Sequence, residues 1–410
     1  MWDTRIFSVF FHPDSRFTAV GGAEKRFIET LKVWSTERVS VTIIDSNRNP
    51  VSENYVGHRV IEMSGPVPSS AKHLFFSYFP WVLWIVKACF RCPSLMKSSA
   101  YDALLAPNNT LPNIVVAYFL HVVSKAPLCV VVHHMDFPYV GVRAEPAAIY
   151  AVYRKARFSI PVSLAKTLAF LIVLVLLRRS NLCIAVSNYT AGLLQKNGVS
   201  PSKVHVSGNG VDVDLIERFQ AREKLYDGIF VGRVAREKGV FDLVEIWKRI
   251  VMNNPESRLL IVGSGPDLSK MRELVETANV SRTRIILKGS CADSEMYSLM
   301  KASKTFLFPS VFEGWGLAVG EALACGLPVV CYDIPALREI FGGCQSVFFV
   351  PIGDTEMFAD TVEKILQDGD FDELETTSKE YAKRFPWKRV ALKDMRIIRN
   401  LARALGKQSV

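Results

Sequence analysis

At 410 residues the chain is longer than one hydrophobic core usually serves, and 49% hydrophobic against 22% charged residues is a globular balance. That balance excludes extended disorder. The net charge of +10 is unevenly spread: residues 72–179 carry twelve Lys and Arg against only Asp102, Asp136 and Glu145.

The opening Met-Trp-Asp-Thr-Arg lacks the basic start, long apolar stretch and cleavage site of a secretion signal. Residues 6–11 read as a strand. After a loop comes Gly21-Gly22-Ala23-Glu24, then a helical pattern with Phe27, Leu31 and Trp34 on one face. Residues 41–44, 103–106, 128–132 and 182–186 read as further strands. The run 128–132 leads straight into His133-His134, and 182–186 ends at Ser187-Asn188, which can cap a helix beginning near Thr190. The rhythm restarts at 228–231, which breaks at Gly232-Arg233, and at 259–262, closed by Gly263-Ser264-Gly265-Pro266. Residues 284–287, 305–308 and 329–332 complete the second series.

Short apolar runs separated by helical stretches predict parallel sheets with crossover helices. The expected fold is therefore α/β, with two Rossmann-like doubly wound domains (1–206 and 207–385) facing a central cleft, linked around 207–213. Ligands would bind at the carboxyl ends of strands. Residues 386–410 read as a final amphipathic helix with Leu392, Met395, Ile398 and Leu401 on one stripe. The spacing names no packing partner, and the expectation is that the helix returns to the first domain.

Two apolar runs bear on membranes. Residues 168–177 are apolar throughout, between Lys166 and Arg178-Arg179, but fall short of the roughly 18–20 residues that span a bilayer. Residues 74–90 are aromatic-rich and interrupted by Pro80 and Lys87. With the basic excess of 72–179, this leaves two readings: contact with an anionic membrane surface, or deep core helices. The eight cysteines sit mostly in apolar runs and read as buried free thiols. Cys89-x-x-Cys92 has no second pair to complete a metal site, and no other ligand cluster is spaced for a metal.

Chemistry concentrates in residues 308–330. A strand ends at Pro309, Ser310 begins a turn, Gly314-Trp315-Gly316 leaves backbone amides accessible, and a helix starts near Leu317. Glycines at a strand-to-helix turn let the chain approach a ligand, and the helix start favours an anion. Glu313 lies in the loop and Glu321 about one turn into the helix, so both can face one cavity. Carboxylates there suit sugar or ribose hydroxyls. Arg233 and Lys238, five residues apart around a turn, can converge on one anion.

This segment resembles the E-x7-E signature of the family-4 retaining glycosyltransferases, which have the GT-B fold. Gly21-Gly22-Ala23-Glu24 is similar to their N-terminal glycine loop, and Asn209-Gly210-Val211-Asp212 to their interdomain link. Val231-Gly232-Arg233 with Glu237-Lys238-Gly239 resembles their diphosphate loop, and Ile261-Val262-Gly263-Ser264-Gly265 a further glycine turn. The likeness covers most of the chain and is specific from about 187 to 332.

The resemblance implies transfer of a sugar from a UDP- or GDP-linked donor, with retention, to a hydroxyl acceptor such as a lipid-linked saccharide or glycolipid. Arg233 and Lys238 would neutralise the diphosphate. Glu321 would hold the ribose and Glu313 the sugar, beside the amides of Gly314 to Leu317. Gly21-Gly22 would close over the diphosphate. A histidine near the reaction centre would be His133 or, second, His134. No cofactor or catalytic metal is implied. The expected location is cytoplasmic, peripheral on the membrane's cytoplasmic face. A GT-B sugar-nucleotide epimerase or phosphorylase, or a non-catalytic scaffold subunit, would share the fold. Nucleic-acid binding by the basic stretch has no recognisable module to support it.

Overall fold

The computed structural model describes residues 4–11, 21–46, 55, 57–63, 74–97, 100–135, 145–155, 159–219, 223–278 and 283–406. The chain forms two compact units, Met1–Gly208 with Trp387–Val410, and Asn209–Pro386.

The first unit begins with β1 (Thr4–Phe10), α1 (Gly22–Thr36), β2 (Val39–Asp45), β3 (Arg59–Glu62) and α2 (Leu74–Lys97). β4 (Ala103–Ala106), α3 (Leu111–Ser124), β5 (Leu128–Val132), α4 (Pro146–Lys155) and α5 (Ile160–Arg179) follow. β6 (Leu182–Ala185), α6 (Asn188–Lys196) and β7 (Val204–Val206) close the series. The seven strands form a parallel sheet in the order β3-β2-β1-β4-β5-β6-β7. β4 and β5 are apolar throughout and fully buried, as expected of strands covered on both faces. On one face, Phe7, Leu104, Val130 and Cys183 meet α2, α3, α4, α5 and α6. On the other, Ile6, Leu105, Val131 and Ile184 meet α1 and the last helix of the chain.

The second unit runs α7 (Val213–Glu217), β8 (Tyr226–Val231), α8 (Val240–Asn253), β9 (Leu259–Val262), α9 (Leu268–Thr277) and β10 (Ile285–Gly289). It continues with α10 (Asp293–Lys301), β11 (Ser303–Phe308), α11 (Leu317–Ala324), β12 (Val329–Tyr332) and α12 (Pro335–Phe341). It ends with β13 (Val347–Val350), α13 (Thr355–Asp368) and α14 (Phe371–Ala382). Its six strands are parallel in the order β10-β9-β8-β11-β12-β13. In both sheets the winding reverses beside the first strand, between β1 and β4 and between β8 and β11. These are the topological switch points at which doubly wound sheets bind ligands.

The final helix, α15 (Trp387–Gly406), belongs to the first unit and packs on α1. Arg26 Nη2 bonds Asp394 Oδ2 at 2.7 Å with both side chains buried, at 3% and 2% exposure. Trp34 Nε1 donates to the Ala391 carbonyl at 2.8 Å, and Arg399 Nε to Thr4 Oγ1 at 2.8 Å.

Two expectations change. The apolar run 168–177 is half of α5, whose twenty residues make it the one helix among those described that is long and apolar enough to cross a membrane. Lys166 and Thr167 interrupt the unbroken run, but apolar residues resume at Ala165, Leu164, Val162 and Ile160, and the helix begins at Ile160. α2 likewise continues through Pro80 and Lys87, which therefore do not break it.

Candidate functional site

At the switch point of the second unit, the loop after β8 and the loop after β11 are bonded to each other. The Val311 amide donates to the Glu237 carbonyl at 3.1 Å, and Ser310 Oγ donates to the same carbonyl at 3.3 Å. Gly239 sits between them at φ +65, and a Cβ there would stand 1.9 Å from the Pro309 carbonyl oxygen. Only glycine fits. The loop after β9 joins from the other side. The Gly232 amide donates to Val262 O at 3.0 Å, and the Val234 amide to Ser264 O at 2.9 Å. A Cβ on Gly263 would lie 1.9 Å from Gly232 O, and one on Gly265 2.3 Å from Val234 O. These two glycines are therefore required by backbone packing between loops.

This clamp brings the motif charges together. Lys238 Nζ lies 2.5 Å from Glu313 Oε1, with both side chains largely shielded from water. Lys238 also stands 6.0 Å from the centre of the Phe308 ring. Arg233 is more exposed and is paired with Glu237. Glu237 is the partner that sequence reasoning missed, although its spacing of four residues from Arg233 carried the signal.

Gly316, directly before α11, has a φ of +91 that turns the chain into the helix. Glu321 is 7% exposed and its Oε1 accepts from the Tyr297 hydroxyl at 3.1 Å. Tyr297, on α10, is a second site residue that nothing in its local sequence marks. Trp315 reaches the site only through its backbone. It is 4% exposed, and its indole packs edge-on against Phe341 at 5.3 Å and Phe385 at 5.2 Å. A large apolar ring beside that aromatic cluster gains more by burial than by facing solvent, so only the Trp315 backbone is available to a ligand. Gly314 is buried and Leu317 half-buried beside it.

In the first unit, Gly21 and Gly22 are exposed at the start of α1. A Cβ on Gly21 would lie 2.2 Å from Glu24 Oε2, so the Glu24 carboxylate lies directly before the helix start. Burial raises the Glu24 carboxyl above the usual carboxylate range, while the backbone amides of Glu24 and Gly21 pull it down. The loops after β1, β4 and β5 are tied by a polar network unforeseen from sequence. The Phe11 amide donates to Asn113 Oδ1 at 2.6 Å, Asn113 Nδ2 to Asn108 Oδ1 at 2.6 Å, and Asn109 Nδ2 to the His134 carbonyl at 2.9 Å.

His133 and His134 separate clearly. His134 is exposed; His133 is half-buried, with Nε2 3.1 Å from the Pro107 carbonyl. A carbonyl only accepts, so Nε2 carries the proton and Nδ1 the lone pair. Burial, reinforced by the Arg26 guanidinium, pushes the His133 imidazole down to about 3. It is a neutral ring at physiological pH.

The family described as Glycosyl transferases group 1 matches residues 214–385, and Glycosyltransferase Family 4 matches residues 20–215. The chain belongs to the family-4 glycosyltransferases. Among curated proteins it is 29% identical over 196 residues to the GDP-mannose:cellobiosyl-diphosphopolyprenol alpha-mannosyltransferase of Xanthomonas oryzae pv. oryzae, covering 47% of this chain and 51% of that protein. It is 28% identical over 183 residues to the UDP-Gal:alpha-D-GlcNAc-diphosphoundecaprenol alpha-1,3-galactosyltransferase of Escherichia coli, covering 42% and 47%. The chain thus spans about half the length of these curated relatives. The sucrose-phosphate synthase of Thermosynechococcus elongatus superposes with a TM-score of 0.77 over 98% of this chain and all of that one, at 18% identity. That likeness shows the GT-B fold of this family-4 chain.

Proposed function

We propose that this chain is a retaining glycosyltransferase that moves a sugar from a nucleoside-diphosphate donor to a hydroxyl of a lipid-linked saccharide or glycolipid, at the cytoplasmic face of a membrane. The observation that carries the reading is the Lys238–Glu313 pair, held at the switch point beside the start of α11. In the absence of donor the two charges satisfy each other. A diphosphate brings more negative charge than one carboxylate, so it draws Lys238 away and frees Glu313 to accept from the sugar hydroxyls. Arg233 adds a second cation after exchanging Glu237 for phosphate. The amides of Gly314, Trp315, Gly316 and Leu317, at the positive end of α11, suit the same anion. Glu321, already oriented by Tyr297, suits the ribose.

The cations stabilise the charge that grows on the leaving diphosphate. With the acceptor hydroxyl attacking from the leaving-group side, its proton passes to the departing phosphate and the anomeric configuration is retained. From the first unit, His133 offers a neutral ring whose Nδ1 accepts a hydrogen bond, which suits a substrate hydroxyl rather than acid catalysis. Both curated relatives act, by their names, on diphosphopolyprenol-linked sugars, one with GDP-mannose and one with UDP-Gal. A thermal-shift and hydrolysis screen against UDP- and GDP-sugars tests the reading. Stabilisation by one base class, lost in Lys238→Ala, is expected; no response to any nucleotide sugar would overturn it.

A further inference from the structure

α2, α3, α4 and α5 contain no Asp or Glu, yet carry eight Lys and Arg. They cover one face of the first unit's sheet. Among the described residues sixteen large apolar side chains are exposed, and twelve of them lie on α2, α3 and α5. Soluble monomers rarely leave more than a few hundred Å² of contiguous apolar surface bare.

The exposed residues fall in stripes. On α5, Ile160, Leu164, Leu168, Ile172 and Val175 follow one another at helical spacing. On α2 the outward residues are Val82, Leu83, Val86 and Phe90, the last 82% exposed; on α3 they are Phe119, Val122 and Val123. α2 packs beside α3, and α3 beside α5, so the stripes make one surface. Arg91 follows Phe90, Lys125 caps α3, and Arg179 ends α5; all three are exposed. The opposite stripe of α5, with Phe170, Val173, Leu174 and Leu177, is in the hydrophobic core. For α5 to cross a bilayer, that stripe would have to leave the core.

We infer that the face of α2, α3 and α5 docks in the plane of an anionic lipid surface, with its apolar stripes at the acyl boundary and Arg91, Lys125 and Arg179 at the phosphates. Apolar surface together with cations on helices that contain no carboxylate of their own is the combination such a surface attracts. A protein partner of mixed charge would leave that one-signed field uncompensated. The inference does not depend on the donor-site reading above.

The test is flotation of the full chain with vesicles of phosphatidylcholine alone or with added phosphatidylglycerol. Binding to the anionic vesicles is expected, with release by alkaline carbonate. Val86→Glu/Leu168→Glu, at exposed positions, should lower the bound fraction by about tenfold with an unchanged melting temperature. Arg91→Glu/Arg179→Glu should abolish the preference for phosphatidylglycerol. No flotation, flotation unaffected by the glutamates, or resistance to carbonate would overturn the inference. So would self-association in size-exclusion chromatography that the glutamates abolish without any vesicle binding, since a second copy would then cover the face.

Discussion

In the second unit, the loops after β8, β9 and β11 meet through their backbones, Gly239 against Pro309, Gly263 against Gly232 and Gly265 against Val234. In the first unit, α2, α3 and α5 meet the sheet through large side chains such as Trp84, Ile114 and Phe170, and leave others bare. The first kind of contact admits one residue type, so it leaves a fixed mark in the sequence. The second accepts any apolar residue of about the right volume and leaves only a composition. Chemistry was therefore legible where backbones touch, and anonymous where side chains pack.

Substitutions in the two units should therefore cost different things. Arg26→Ala, in the seam between α1 and α15, strands Asp394 without its partner and should cost about 3–5 kcal/mol of unfolding free energy in urea titration. Arg26→Met with Asp394→Leu should recover much of that loss. In the other unit Lys238→Ala should cost turnover instead: about 100-fold or more in kcat for the nucleotide sugar that binds, with little change in melting temperature. A large stability loss there would mean that the pair with Glu313 holds the fold.

His133 gives a prediction in pH. Unfolded, its imidazole takes a proton near 6.5; folded, only near 3. Between those values the unfolded chain binds more protons, so folding stability falls as pH drops through the window, by about 2 kcal/mol at pH 5. His133→Gln should remove that acid-side dependence, as read from urea midpoints at pH 5 and 7. An unaltered slope would mean that the ring is not held neutral. The smallest effect belongs to the bare helical face. Leu168→Glu should change unfolding free energy by less than about 0.5 kcal/mol, and a larger loss would mean that the outer stripe stabilises the fold.

The alternation of strands and helices was readable because short buried runs such as 103–106 and 128–132 coincide with β4 and β5. β3 and β7 escaped notice because they are edge strands, with Arg59 and Glu62 exposed in one and His205 in the other. Arg233, Lys238, Glu313 and Glu321 were nameable from motif spacing. Their partners divide by distance: Glu237 is four residues from Arg233, but Tyr297 is twenty-four from Glu321. The packing of the Trp315 indole could not be read from its neighbours, which are glycines and a glutamate. The rings that bury it, Phe341 and Phe385, come from far along the chain. The run 168–177 understated the length of its helix for a related reason. Lys166 and Thr167 break the run, whereas Ala165, Leu164, Val162 and Ile160 continue the same apolar helix before them.

The seam between α1 and α15 has a consequence for biosynthesis. A nascent chain emerges in order, so Arg26 leaves the ribosome more than three hundred and sixty residues before Asp394. Everything needed for the second unit, 209–386, is available before α15 exists. The first unit is thus begun first and completed last. Until its final helix arrives, it must hold a guanidinium at a site built to be dry, and that interval is when a chaperone or a protease would find it open.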